Sequence, residues 1–102
     1  MTDRNSHDLP RLDASVRVAE HVLMRRVGEE HVLLNLNNET YYGLNPLGSR
    51  TIELADGGAT LEEIIDRLFA EYEVGRGQLE GDVRRIVAEL IAAGLVETGV
   101  PA

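Results

Sequence analysis

The sequence predicts an α+β domain: a three-stranded antiparallel sheet followed by three helices. Three observations carry this. Short β-rich runs separated by turn residues crowd positions 16–44, and an Asn-Pro helix start follows at 45–46. Two apolar series at helical spacing, each with its own start or stop signal, then fill the stretch from Thr60 to Gly94. Strands segregated ahead of helices point to α+β rather than to alternating α/β units.

Taken in order, residues 1–15 (MTDRNSHDLPRLDAS) carry isolated apolar side chains without a usable period and read as a mobile arm. Val16 and Val18 alternate with polar residues and the run HVLMRRV at 21–27 is β-rich, so one or two strand segments lie within 16–27. Gly28-Glu29-Glu30 turns the chain. In HVLLNLN, Val32, Leu34 and Leu36 share one face and His31, Leu33, Asn35 and Asn37 the other, the pattern of a half-buried strand. Asn37 and Asn38 tolerate positive φ and suit a tight hairpin, making Thr40–Leu44 a third strand antiparallel to the second.

Asn45 as N-cap with Pro46 at the first helical position opens helix one, whose Leu47, Thr51, Leu54 and Ala55 run at helical spacing up to Gly57-Gly58. Thr60 and Glu63 form a T-x-x-E capping box for helix two, where Leu61, Ile64, Ile65, Leu68, Phe69 and Tyr72 recur on one stripe. Leu79, Val83, Ile86, Val87, Leu90 and Ile91 define helix three over about 78–93, ended by Gly94 with Leu95 placed for a Schellman contact.

At 102 residues the chain suits one domain with one core. Its 18 acidic and 10 basic residues give a net charge of −8, a field that repels phosphate backbones and anionic lipid surfaces. Neither nucleic acid nor a membrane is therefore an expected partner. The absence of cysteine removes disulfides, thiolate metal sites and a cysteine nucleophile together. Without an apolar run long enough to span a bilayer, or a signal-peptide pattern, the expected location is the cytoplasm.

Catalytic chemistry is not legible. His7 falls in the arm, and hairpin register about Gly28 puts His21 and His31 at opposite ends of a strand pair, where they read as exposed or half-exposed strand histidines rather than ligands. No serine stands in an activated-nucleophile motif, and the glycines make no phosphate cradle. Glu29-Glu30 and Glu62-Glu63 are explained by a solvated turn and a helix first turn. A winged-helix DNA binder has similar elements, and helix three does carry Arg84 and Arg85. Glu80, Asp82 and Glu89 on the same helix cancel the charge that phosphate binding needs.

The third strand, TYYGL, is unusual in another way. As the last of the meander it lies at a sheet edge, yet it carries no charge, proline or bulge signal to protect that edge. Tyr41 and Tyr42 fall on opposite faces. A two-residue turn pairs Leu34 with an odd position and a three-residue turn pairs it with Tyr42 or Leu44; Tyr42 and Leu44 are taken as the inward pair. An aromatic edge beside an amphipathic helix suits β-augmentation by an extended peptide. It equally suits a strand that merely packs the sheet on helix three.

The runs LLNLNNETYYGLNPLGSR, LADGGATLEEIIDRLFAEYEV and DVRRIVAELIAAGLVE together resemble the PqqD-type peptide chaperones, also called RiPP recognition elements. The likeness covers about residues 16–97, leaving 1–15 as an arm and 98–102 as a C-terminal tail. It implies a winged-helix-like domain that captures the leader region of a ribosomally made precursor peptide as an added strand against the third strand and the third helix. Carried onto this chain, it implies a peptide site of Thr40, Tyr41, Tyr42, Gly43, Leu44 and Asn45 on the strand. Helical spacing adds Asp82, Val83, Arg85, Ile86, Glu89 and Leu90, with Arg85 facing an acidic leader side chain and Ile86 an apolar one.

A separate chain of this size resembles the recognition subunit of lasso peptide systems, whose leaders carry Tyr-x-x-Pro. That resemblance implies no catalysis and no cofactor, with the leader peptidase and also the cyclase of the same pathway as partners. Two alternatives stand beside it: the chaperone of quinone cofactor biosynthesis, which serves a radical enzyme, and a winged-helix DNA-binding regulator. Thr51-Ile52 departs from the larger apolar or aromatic pair common in relatives, which bears on groove shape.

Overall fold

Gly28 at φ 66° turns the chain between two paired strands, a left-handed conformation that a residue without Cβ adopts at little cost. In the computed structural model, which describes residues 9–99, the elements run β1 (Ser15–Val18), β2 (Val22–Val27), β3 (Glu30–Asn35), β4 (Thr40–Leu44), α1 (Pro46–Asp56), α2 (Leu61–Glu71), α3 (Arg76–Ala92) and β5 (Val96–Gly99). Strands β2, β3 and β4 form the antiparallel three-stranded sheet, in that order, and three helices follow. This is the α+β architecture expected from the sequence.

The β3–β4 connection uses its asparagines as acceptors. Asn35 Oδ1 accepts from the Asn37 N–H at 2.9 Å, and Asn38 Oδ1 accepts from the Thr40 N–H at 3.1 Å and hydroxyl at 2.6 Å. The positive φ falls on Glu39 at 58° rather than on Asn37 or Asn38. The register is nevertheless that of a two-residue turn, with Leu34 opposite Tyr41 and Leu33 opposite Tyr42. Tyr42 and Leu44 do face inward.

The face of β3 that enters the core is the one bearing His31, Leu33 and Asn35, all buried, while Leu36 is exposed. The polar pair is only partly satisfied inside. The Asn35 amide reaches the Ala93 carbonyl at 3.5 Å and its Oδ1 accepts from the Asn37 N–H, whereas the His31 ring has Glu53 beside Nε2 and no partner at Nδ1; the His31 backbone N–H donates to Ser49 Oγ at 2.7 Å. The expectation of an exposed or half-exposed His31 is thus corrected: the ring is buried with Nε2 3.6 Å from Glu53 Oε2. His21 does lie at the other end of the hairpin, its Nε2 2.9 Å from the Gly94 carbonyl oxygen.

Helix boundaries follow their local chemistry. Asn45 Oδ1 accepts from the Gly48 N–H at 2.8 Å and caps α1. The capping box of α2 is complete, with the Glu63 N–H donating to Thr60 Oγ1 at 3.2 Å and the Thr60 N–H donating to Glu63 Oε1 at 2.8 Å. At the end of α3, Gly94 takes φ 75°, and the Leu95 and Gly94 N–H groups donate to the carbonyls of Leu90 and Ile91 at 2.9 and 3.0 Å. That is the Schellman pattern. Phe69 leaves the apolar stripe of α2 and is exposed, with the Arg76 guanidinium over its ring at 5.6 Å.

One pairing has no local signature. β1 and β5 form a second, two-stranded antiparallel sheet with Ser15 opposite Gly99. Ahead of it, the carbonyls of Ala14 and Leu12 accept from the Leu61 and Glu62 N–H groups, the otherwise unsatisfied donors of the first turn of α2. The Arg84 guanidinium donates to the Pro10 carbonyl at 2.9 and 3.2 Å. Residues 10–15 are therefore engaged with the fold, whereas residues 1–8 of the expected arm, His7 included, lie outside the described residues, as do residues 100–102 of the expected tail.

The core joins both sheets to the helices through Val16, Leu33, Leu44, Ile52, Ile64, Ile65, Leu68, Val83, Val87 and Leu90. Each such side chain contributes about 1.5–3 kcal/mol on burial.

Candidate functional site

β4 is the outer strand of its sheet, and among the described residues no other strand pairs with its free margin. Side chains reach the backbone of β4 only at its two ends. Asn38 Oδ1 takes the Thr40 N–H, and the Ser49 hydroxyl, which accepts from the His31 N–H, donates to the Leu44 carbonyl at 3.3 Å and so bridges β3 and β4 on their paired side. No side chain protects the backbone of residues 41–43, and TYYGL offers no charge to deter an incoming strand.

Facing this margin across a groove is α3. A cleft of about 90 Å³ is lined by Tyr42, Gly43, Leu44 and Asn45 from the strand side and by Ile86, Glu89 and Leu90 from the helix. A shallower depression of about 230 Å³ continues it past Asn45 and Leu47 to Asp82 and Arg85. The floor is apolar, from Leu44, Leu90 and the half-buried Ile86. The rim is polar: Arg85 is paired with Asp82, one helical turn away, and the Tyr42 hydroxyl lies 3.5 Å from Glu89 Oε1. Burial first, and then the Glu89 carboxylate, push the Tyr42 phenol above its ordinary value, so it stays a neutral hydrogen-bond donor across the physiological range.

Nine of the twelve site residues expected from the sequence line this groove: Tyr42, Gly43, Leu44 and Asn45 on the strand side, with Asp82, Arg85, Ile86, Glu89 and Leu90 facing them. Thr40, the exposed first residue of β4, lines neither depression. Two others lie elsewhere. Val83 is fully buried and packs in the core, because it lies with Leu79 and Val87 on the stripe that α3 turns inward. Tyr41 points to the opposite face of the sheet and is 74% exposed. Gly48 and Leu47 were missed: the helix start at Asn45-Pro46 follows β4 without a linker, which brings the first turn of α1 into the groove wall. Gly48 is there at close quarters, since a Cβ would fall 3.2 Å from Asn45 Oδ1 and 3.3 Å from Leu44 Cδ2.

An unpaired strand margin, an apolar floor and a polar rim can hold an extended chain by main-chain bonds and sort its alternate side chains. Among the described residues there is no group of three or more acidic or histidine side chains placed to hold a metal ion. No described helix is long and apolar enough to cross a membrane.

Comparison with curated proteins gives no match. Among solved structures, the chain is similar to TbiB1 in complex with the TbiA(beta) leader peptide, with a TM-score of 0.76 and 37% identity over 79% of this chain and 94% of that one. It shares its fold with lasso peptide synthetase B1 complexed with the leader peptide, with a TM-score of 0.73 and 23% identity over 80% of this chain and 96% of that one. It is also similar to the PqqD part of Methylobacterium extorquens PqqCD, a functional, stand-alone RiPP recognition element. There the TM-score is 0.68 and the identity 25%, over 81% of this chain and 88% of that one. Residues 30–96 match the family described as coenzyme PQQ synthesis protein D, and this chain belongs to that PqqD family.

Proposed function

We propose that this chain is a non-catalytic recognition module that binds the leader region of a ribosomally made precursor peptide, of the lasso peptide type, and presents it to a leader peptidase. The observation that carries the reading is the uncharged, unpaired margin of β4 set against a groove floored by Ile86 and Leu90. The leader adds there as a fourth strand, with its backbone on residues 40–45 and alternate side chains directed into the groove. The likeness to TbiB1 with its leader peptide supports this reading above that of a chaperone for a quinone cofactor pathway. The groove supplies position and no chemistry, so its effect on the reaction is a raised local concentration of the scissile region at the partner enzyme. The DNA-binding alternative gains nothing from α3. Its Arg84 is occupied by the Pro10 carbonyl and Glu80, and its Arg85 by Asp82.

The test is fluorescence polarisation of the labelled TbiA(beta) leader against the purified chain, with a scrambled peptide as control and with Tyr and Pro replaced by Ala where a candidate leader carries them. Saturable binding of the leader and not of the scrambled peptide is expected. Equal binding of both, or of neither, would reject the reading.

A further inference from the structure

The sheet β2–β3–β4 turns one face to the helices and leaves the other uncovered among the described residues. On that outer face Leu23, Leu34 and Tyr41 stand in one cross-strand row, because Leu23 pairs with Leu34 and Leu34 with Tyr41. Leu23 is 55% exposed, and Val32 and the exposed Val27 extend the apolar surface beside the row. An apolar row on the solvent side of a sheet marks a surface that a partner can cover. Beside this surface stands Arg25, exposed, opposite Val32 and diagonal to Glu30 on the same face; it makes no ion pair among the described residues. Without an ion pair of its own, on a chain of net charge −8, that guanidinium at the border of the apolar row is a position for a carboxylate from outside.

We infer that this outer face docks the leader peptidase, through a peptidase surface that is apolar with an acidic side chain set opposite Arg25. The inference rests on the proposed leader-binding function. Its main support is continuity: the Leu23–Leu34–Tyr41 row ends at the free margin of β4, where the leader would add. A leader strand extends the same sheet, and the half of its side chains that do not enter the groove emerge on the outer face next to Tyr41. A protein covering that face therefore touches module and leader together, which couples peptidase recruitment to leader occupancy. A second copy of this chain is the poorer occupant, since it would bring its own charge of −8 against the first.

The experiment uses the full chain and its Leu23→Asp and Arg25→Glu variants, the labelled TbiA(beta) leader, and the purified peptidase that cleaves that leader. Leader polarisation, peptidase binding by biolayer interferometry with and without leader, and cleavage rate are measured in parallel. Both variants lie on β2, two strands from the groove margin, and are expected to bind leader within about twofold of wild type. Peptidase affinity and leader-dependent cleavage are expected to fall at least about tenfold in each, as for loss of a central interface contact. Unchanged peptidase binding in both variants overturns the inference, as does a wild-type dimer that Leu23→Asp converts to monomer. If wild type binds no leader, the proposed function fails on that arm alone, and the leader-free peptidase arm still decides the face.

Discussion

Ile86 is the side chain whose replacement separates the groove from the fold. It packs on the core from α3 while lining both the deeper cleft and its continuation, so the fold covers part of it and a docked leader covers the rest. Ile86→Ala removes three carbons, about 2.4 kcal/mol of burial at about 0.8 kcal/mol each. Divided roughly equally between the two events, about 1.2 kcal/mol falls on leader binding, about eightfold in Kd, and a similar amount on stability. Ile86→Asp adds the desolvation of a carboxylate beneath the leader and is expected to exceed about thirtyfold in Kd. Polarisation of labelled leader reads the first quantity, and thermal melting followed by far-UV circular dichroism reads the second. A leader Kd within about twofold of wild type for both variants, with native circular dichroism, would show that α3 does not form the wall of the peptide site.

Further expectations concern the frame that holds the groove. Thr60→Ala deletes the acceptor of the Glu63 N–H and should cost about 1 kcal/mol, read as a Tm lower by about 4–8 °C, with leader affinity retained. Gly94→Ala forces a Cβ into φ 75° and is expected to destabilise by about 1–2 kcal/mol in urea titration. The Glu71 carboxyl is held below its ordinary value, chiefly by hydrogen bonds from the Arg50 guanidinium. A depressed acid value means that this stabilisation is present above the carboxylate range and is lost as pH falls through the folded-state value. Both groups are substantially solvated, so the Tm gap between wild type and Glu71→Gln should be small at neutral pH, worth under about 1 kcal/mol, and should close in acid.

The sequence declared those parts of the fold whose signals are local. Thr60 and Glu63, Asn45 and Pro46, and Gly94 with Leu95 each fix a helix end through atoms a few residues apart, and they stand where spacing put them. The β1–β5 pairing was illegible for the opposite reason: Ser15 and Gly99 are 84 positions apart, and strands of four residues carry little period. On β3, alternation identified two faces, but the more apolar one stayed outside: Leu33 enters the core from the other face, and the neighbour of its His31 ring, Glu53, resides on α1, out of reach of any local signal. In the site, helical spacing alone could not separate Val83 from Ile86. A rotation of one helix face decides which of them meets the core and which the groove.

The ladder that pairs Ser15 with Gly99 sets the first strand beside the last, on elements other than the β4 and α3 that line the groove, although Pro10 ahead of it is tied to Arg84 on α3. Such a unit can be spliced into a surface loop of a host enzyme as a cassette without redrawing the groove. Attachment and recognition thus fall on separate strands of one small scaffold, the β1–β5 ladder and the margin of β4, which frees its geometry for travel between architectures.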